Sequence, residues 1–508
     1  MKKLVLNHFY RLKHDVKRTY ILSTDSSLSR QVKNVEANWQ SKIHPLFGMI
    51  LSFFAEPQAY ESIIPRIASF LETPKENIQP FLDLLIDNPQ TVSFSYKGTA
   101  NTFPPHLIIE EKDLISAIIP YDVNEFIYKE LDFNRQRAFD SPLGLVLMIN
   151  NTCSTDCIYC YADKRIKHNN FSIDVFERMV TEAYRLHIPS IQITGGEFFL
   201  YKNWEKVLEI LASYHYQLNL ISSKTPLNKE SIQSVKRHHI AIQISLDSLD
   251  EEILISMLHV KPGYLEKIKQ TVCLLEEENV KFQIATIITQ HNCDISLLED
   301  LYAFLSPLTH LHRWEVRTAF KSLYSNKAFD NYKIDKNTET KIGNWINEKK
   351  RQTSMPILWS PVDADKYFKS EKGSSSFPGS RCSANYSHMV ILPDGKVTIC
   401  EQLYWNPRFI IGDIYTQTIR EIWNSPQAVR LAFPQQINFQ EASPCKKCKI
   451  FDACFEVHNK CYTEVLKAYN DENWDFPDPR CIYAPVFINN LILEANVSNE
   501  NQGTIIID

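Results

Sequence analysis

The sequence predicts an α/β fold in which six βα repeats build a parallel sheet, curved into part of a barrel, between a small mixed N-terminal unit and a cysteine-rich C-terminal region. Three observations predict it. From Leu145 the chain alternates short apolar strands with helical segments, a pattern that demands parallel pairing. Two strands and three helical segments precede that alternation. Ten of the twelve cysteines fall in two clusters, one inside the alternation and one after it.

Composition sets the frame. At 508 residues the chain is too long for one ordinary core, because single cores stop growing near ~250–300 residues. A hydrophobic fraction of 44% with only 12 Gly and 25 Pro suits packed globular units rather than low-complexity chain. The formal charge of -5 is small and dispersed, so neither nucleic acid nor a membrane surface is expected as a partner. The opening MKKLVLNHFYRLKHD has no secretory apolar stretch, and the longest apolar run, LFGMILSFFA, falls well short of the ~20 residues of a spanning helix. A soluble, cytoplasmic protein is expected. In that reducing compartment, clustered cysteines point to metal before disulfides.

The elements follow in order. Residues 8–24, HFYRLKHDVKRTYILST, read as two short strands around the polar turn HDVKR. Leu46, Met49, Ile50, Phe53 and Phe54 form one apolar helix face. Thr73, Pro74 and Glu76 fit the N-cap, N1 and N3 positions of a capping box before FLDLLI, and the strand TVSFSY follows. Residues 1–100 thus resemble a winged helix-turn-helix, with 101–140 as a linker. A DNA reader would need a basic last helix, whereas Lys75 is outnumbered by Glu76, Asp83 and Asp87.

Residues 141–330 carry the alternation: LVLMI, a helix over 174–186, SIQIT, a helix over 204–214, QLNLIS, a helix near 229–237, IAIQIS, a helix over 264–278, FQIATII, a helix over 295–305 and RWEV. Ligands in such folds gather at the carboxyl ends of the strands, and the loop NNTCSTDCIYCYADK leaves the first one. A connector over 331–379 ends in a stretch with Ser374, Ser375, Ser376, Pro378 and Gly379. The cysteine-rich region spans 380–490 and a loose tail 491–508.

The chemistry sits in the cysteines. Cys153, Cys157 and Cys160 have C-x3-C-x2-C spacing, which suits a cluster better than a tetrahedral ion; zinc with a distant fourth ligand is the alternative. The strand SIQIT ends in Gly195, Gly196 and Glu197, where glycines let backbone approach a ligand and a carboxylate can pair with an ammonium. With Tyr159 before the last cysteine, this pairing of loop and Gly-Gly-Glu resembles the radical S-adenosylmethionine (SAM) superfamily.

The resemblance implies a partial (β/α)6 radical SAM barrel with a [4Fe-4S] cluster on Cys153, Cys157 and Cys160. The iron left without a protein ligand would chelate the amino and carboxylate groups of SAM. Thr194, Gly195, Gly196 and Glu197 then match the segment that binds the methionyl amine, and Ser222, Ser245 and Asp247 match positions that hold ribose or carboxylate. The arginine common after the fourth strand is missing, since MLHVKPGY offers only His259 and Lys261, and Phe198 replaces the usual proline.

The tail places Cys382, then Gly395 before Cys400, then Cys445, Cys448, Cys454, Cys461 and Cys481. With ILPDGKVTIC and IREIW, this resembles a SPASM domain. The resemblance implies two auxiliary [4Fe-4S] clusters, making three Fe-S clusters in all. One would rest on Cys445, Cys448, Cys454 and Cys481, the other on Cys382, Cys400 and Cys461, with His388, His458 or an open iron completing it. By spacing alone a zinc ribbon is the alternative. Cys273, beside Ile268, Val272, Leu274 and Leu275, reads as a small buried hydrophobe, and Cys293 as an incidental loop thiol.

The implied activity is a radical SAM peptide maturase that crosslinks, through sulfur or carbon, a precursor peptide bearing a leader. The leader would join the edge of the 8–24 hairpin as an added strand, and a reductant such as ferredoxin or flavodoxin would supply electrons. A sulfatase-maturing, formylglycine-forming enzyme is the alternative; there an acidic residue after the second auxiliary cysteine is the base, and Glu401 follows Cys400. From another class, an Fe-S DNA-binding regulator is the contrast.

Overall fold

The computed structural model describes residues 2–24, 39–113, 119–163, 169–325, 327–361, 382–457 and 460–486. His458, the stretch 374–379 and the tail 491–508 lie outside these residues.

The N-terminal unit comprises β1 (Lys3–Leu6), β2 (Tyr10–His14), β3 (Thr19–Ser23), β4 (Gln40–Ile43), α1 (Pro45–Ser52), β5 (Gln58–Ala59), α2 (Tyr60–Phe70), α3 (Gln79–Leu85), β6 (Val92–Tyr96), β7 (Thr99–Phe103) and β8 (Ile108–Glu110). The 8–24 segment forms β2 and β3, and β4 adds to β3 in an antiparallel sheet. Strands β5, β1 and β8 make a second sheet. Hairpin β6–β7 turns on Lys97 (φ 48°) and Gly98 (φ 76°), a left-handed pair that matches strand twist.

Two local expectations differ. Helix α1 is buried almost all round, Phe47, Gly48 and Leu51 included, because it threads the centre of this small core instead of lying on it. The capping box at Thr73 does not form: residues Lys75–Asn77 make a 3-10 turn, and the Thr73 hydroxyl instead accepts from the Asn77 side chain at 3.1 Å. Pro80, fitted to a first turn, starts α3.

The alternation is realised as β9 (Gly144–Met148), α4 (Ile173–Arg185), β10 (Ser190–Thr194), α5 (Trp204–Ser213), β11 (Leu220–Ser223), α6 (Lys229–Arg237), β12 (Ala241–Ser245), α7 (Glu251–Leu258), α8 (Tyr264–Glu277), β13 (Phe282–Ile288), α9 (Ile295–Leu305) and β14 (Leu311–Thr318). The pairs β9–β10, β11–β12, β12–β13 and β13–β14 are all parallel. Beyond the sixth strand, α10 (Lys336–Gln352) leads to β15 (Ile357–Ser360), a further parallel strand on β14. Cys273 is exposed on α8, because the helix turns Thr271, Val272 and Leu275 inward instead.

The cysteine-rich region is not a separate appendage. Its first strand, β16 (His388–Ile391), pairs in parallel with β9 on the side away from β10, and β17 (Lys396–Thr398) and β18 (Ile410–Asp413) continue that sheet antiparallel. The open edge of β9 is thereby paired. Helices α11 (Ile419–Trp423), α12 (Pro426–Ala432), α13 (Phe451–Val457) and α14 (Tyr462–Tyr469) follow. Leu145, Leu147, Met389, Ile391 and Trp423 share one core. Part of the expected linker is packed too: buried Arg137 donates to the Asn385 carbonyl at 2.8 Å and stacks 3.9 Å over Trp423. Among the described residues no helix is long and apolar enough to cross a membrane.

Candidate functional site

The cysteine loop leaves the carboxyl end of β9 and is clamped from three sides. Below it, the backbone amides of Asp156 and Ile158 donate to Leu258 and Met257 carbonyls at the end of α7, both at 2.9 Å. His259, left-handed at φ 51° as the cap of α7, puts its Nδ1 2.8 Å from the Asp156 carbonyl. The sequence offered it toward a carboxylate; the structure uses it to hold the loop. From the barrel side, Tyr159 donates its hydroxyl to Asp247, whose other oxygen accepts the Ile287 amide at 2.8 Å. Asp247 therefore anchors the loop across two strands.

The third clamp comes from β10. The amides of Gly196 and Glu197 donate to the Asn150 and Thr152 carbonyls at 2.9 and 2.6 Å. A Cβ at Gly196 would lie 2.0 Å from the Thr152 oxygen, and one at Gly195 (φ 138°) 2.4 Å from the Asn150 oxygen. These glycines admit the cysteine loop's own backbone, a different close approach from the ligand contact expected of them.

Glu197 is buried, and its two oxygens accept the Lys224 amide at 2.8 Å, the Ser223 hydroxyl at 2.9 Å and the Thr225 amide at 3.3 Å. It thus shapes the loop after β11. Thr194 ends β10 opposite Met148. Ser245 is buried at the end of β12. Ser222 is exposed toward the barrel lumen and accepts from Gln243 at 2.8 Å, the first rung of a polar ladder that runs on to Gln283 and Arg313.

Sequence reasoning missed Lys224. Burial opposes its charge, but Cys157, Asp247 and Glu197 outweigh that and hold its pKa above the ordinary value. Its ammonium also lies 5.5 Å over the Tyr159 ring. A lone Lys after a strand carries no signal until the fold turns it inward.

The three thiols lie within electrostatic reach of one another. Burial pushes Cys153 up to about 12, with Glu197, Cys160 and Cys157 adding to it, and burial also raises Cys157. The Cys153 residue as a whole keeps an exposed face, so its rise comes from the atoms packed around the thiol. Three thiols of one short loop, over a glycine-packed floor, are the residues that could hold an iron-sulfur cluster. In the tail, Cys445, Cys448, Cys454 and Cys481 act on one another, burial lifting Cys445 to about 12 and Cys454 to about 11. Cys382, Cys400 and Cys461 line one small cavity of about 20 Å³ together with Lys460 and Thr463. His388 is turned away from it: its Nδ1 lies 2.9 Å from the Ser387 hydroxyl and its Nε2 sits over Gly144, where a Cβ would be 2.4 Å away. Among the described residues no three His, Cys, Asp or Glu side chains close tightly enough for a single metal ion.

Glu401 is in electrostatic reach of Tyr161 in the first cysteine loop. Burial raises its pKa. Tyr161, beside Cys160, is itself raised first by burial, then by Glu401 and Cys160, and Tyr404 by burial, Tyr161 and Glu401.

Comparison with known proteins agrees with this geometry. Residues 147–301 match the radical SAM superfamily, and residues 382–449 match SPASM, the iron-sulfur cluster-binding domain. The antilisterial bacteriocin subtilosin biosynthesis protein AlbA of Bacillus subtilis (strain 168) is 22% identical over 336 residues, 65% of this chain and 69% of AlbA. The sporulation killing factor maturation protein SkfB of the same strain is 22% identical over 51% of this chain and 60% of its own length. The crystal structure of Streptococcus suis SuiB bound to precursor peptide SuiA superposes with a TM-score of 0.59 at 13% identity, covering 94% of this chain and 99% of SuiB. At that identity the likeness is one of fold.

Proposed function

We propose that this chain, which carries a radical SAM domain and a SPASM domain, is an enzyme that matures a ribosomally made precursor peptide by installing a thioether or carbon–carbon crosslink. One observation carries the reading: Tyr161, next to Cys160, packs in one apolar cluster with Tyr404, four residues after Cys400, so the first cysteine loop lies against the chain that follows an auxiliary-set cysteine. AlbA and SkfB are named for bacteriocin biosynthesis and killing-factor maturation, and SuiB was captured with a precursor peptide; these support the substrate class.

Cys153, Cys157 and Cys160 would hold the SAM-binding [4Fe-4S] cluster, and the two tail sets the auxiliary clusters. When bound, that cluster and SAM supply a 5'-deoxyadenosyl radical that takes hydrogen from an unactivated carbon. The chain's own residues position and tune. Tyr159, Asp247 and α7 keep the cysteine loop rigid. Lys224 is the cation in reach of Cys157 and Glu197 and stands in for the missing arginine toward the SAM carboxylate. Glu401, lifted by burial, is poised to take a proton from the substrate group that forms the new bond.

The leader's docking edge moves from the hairpin to its neighbour. Strand β2 is covered: the Leu12 amide donates to the Tyr121 hydroxyl at 3.1 Å, and Arg11 and Lys13 reach Ile188 and Leu186 carbonyls. Strand β4 is the other edge of that sheet. The Ser23 amide bonds to Trp39, so by antiparallel alternation the amides of Gln40 and Lys42 point outward, ready for strand addition. A one-electron donor of ferredoxin or flavodoxin type completes the partners.

The test is turnover of reconstituted protein with SAM, reductant and candidate short peptides, read by mass spectrometry. The expected product has lost two hydrogens and resists thiol reduction. An aldehyde on Ser or Cys would instead make this a sulfatase-maturing enzyme. DNA retardation without SAM cleavage would make it a regulator.

A further inference from the structure

We propose that the base of the barrel carries an oxyanion-binding site, formed where β2 of the N-terminal unit meets the loops that enter β11 and β12. A cavity of about 180 Å³ lies there. It opens at the amino ends of the barrel strands, the opposite end from the cysteine loop. Its polar wall is made by His8, Arg11, His215, Tyr216, Arg237 and His238, and no Asp or Glu is among the described residues that line it.

Arg11 is the anchor. Its side chain is 1% exposed. One guanidinium nitrogen donates to the Ile188 carbonyl at 3.0 Å, and the group lies 4.7 Å from the Tyr216 ring centroid, but Nε has no hydrogen-bond partner. Among the described residues no carboxylate comes within ion-pair distance of it. A guanidinium buried without a counter-ion is costly, and an aromatic face repays only part of that cost.

His8 makes the same demand. It is 9% exposed, its ring is tilted against Phe9, and neither ring nitrogen has a partner. Burial, helped by His215, holds its pKa down to about 4, so at neutral pH the ring is uncharged. A neutral imidazole still carries one N–H and one acceptor nitrogen. A buried donor facing a cavity calls for an acceptor there.

One oxyanion would accept from both Arg11 and His8. His215, Arg237 and His238 stand by it as further donors, with Arg237 exposed at the rim. The nearest acidic groups acting on this cluster are Glu205 and Glu209 of α5, and they act on His238. The cavity, about 180 Å³, has room for a phosphate, a sulfate or a carboxylate. Because the donors come from both units, the ion would fasten the N-terminal unit to the barrel and stabilise the whole by mass action.

The test uses the full, cluster-loaded chain. Inorganic phosphate is titrated at constant ionic strength, with chloride as control, by calorimetry and thermal melting. Saturable binding of one phosphate per chain and a rise in melting temperature are expected. Affinity should fall about tenfold or more in Arg11→Gln and in His8→Phe, as for lost bonds to a charged group. Should Arg11→Gln fail to fold, His8→Phe and Arg237→Gln carry the test. Competition by sulfate assigns the site to tetrahedral oxyanions and competition by acetate to carboxylates. Absence of saturable binding, or binding unchanged in the variants that fold, overturns the proposal.

Discussion

Gly196 lies directly beneath the carbonyl of Thr152: a single added carbon would stand 2.0 Å from that oxygen. The end of β10 and the cysteine loop are therefore in backbone contact, and the contact is backbone on both sides, so neither can yield by turning a rotamer.

Gly196→Ala should accordingly push the loop off its floor and loosen Cys153, Cys157 and Cys160. The expected outcome is loss of one cluster of three, iron falling from about twelve to about eight per chain for cubane clusters, with the tail unaffected. Iron analysis and electron paramagnetic resonance of anaerobically reconstituted protein would read this. Full iron content in the variant would dismiss the steric account.

Glu401→Gln removes the proposed proton acceptor while keeping its shape. SAM cleavage should persist, and crosslinked peptide should fall by about 10²-fold, the lower range for general-base removal. Both products are measured in the same reaction, so a parallel loss of 5'-deoxyadenosine would speak against a base role.

Gln40→Pro deletes an outward amide of β4 without touching its bonds to β3. Peptide affinity should drop about tenfold or more, while SAM cleavage without peptide stays as it was. Fluorescence anisotropy with a labelled precursor checks it, and unchanged affinity would move the leader to another edge.

The N-terminal unit should be acid-labile. His44 caps α1 by accepting the Leu46 amide on Nδ1 at 3.2 Å, a role a protonated ring cannot fill. Burial, then Lys97, lowers its pKa from 6.5 to about 4; burial does the same to His14. The unfolded chain therefore takes up protons first. Stability is fully present above pH 6.5 and is lost as pH falls through 4. Melting curves across that window should shift downward, and less so in His44→Asn, where an untitrating side chain keeps the cap.

Lys460 is buried, lines the cavity of Cys382, Cys400 and Cys461, and is also in electrostatic reach of Cys445 and Cys454. Burial lowers its pKa to about 8, so at neutral pH it is a cation between the two tail sets. Lys460→Met should make both auxiliary clusters harder to reduce, since removing a nearby cation disfavours the reduced, more negative state. Redox titration would register more negative potentials for these two and none for the SAM-binding cluster.

Much of this was legible in the residues. Strands SIQIT and FQIATII and the helix 295–305 appear with the bounds their periodicity implied, because buried parallel strands and amphipathic helices write their burial directly into the order of apolar residues. The C-x3-C-x2-C spacing of Cys153, Cys157 and Cys160 marked a cluster loop, whereas the division of the tail cysteines into two sets came from the likeness to SPASM and not from spacing. Helix α7 was not, since Glu251–Leu258 is too short to show a period, yet it supports the loop on which the chemistry depends.

By itself, then, the sequence determined the local elements and the inventory of clustered thiols, because hydrophobic period and cysteine spacing are properties of neighbours along the chain. Only the tertiary structure decided what depends on distant segments meeting. It aimed Glu197 at residues 223–225 and His388 at Gly144. It turned Lys224 toward Cys157, and it left Arg11 and His8 facing a cavity without an acceptor. Such pairings have no signature in any window of sequence, since the energy that selects them arises only when the two segments are already packed.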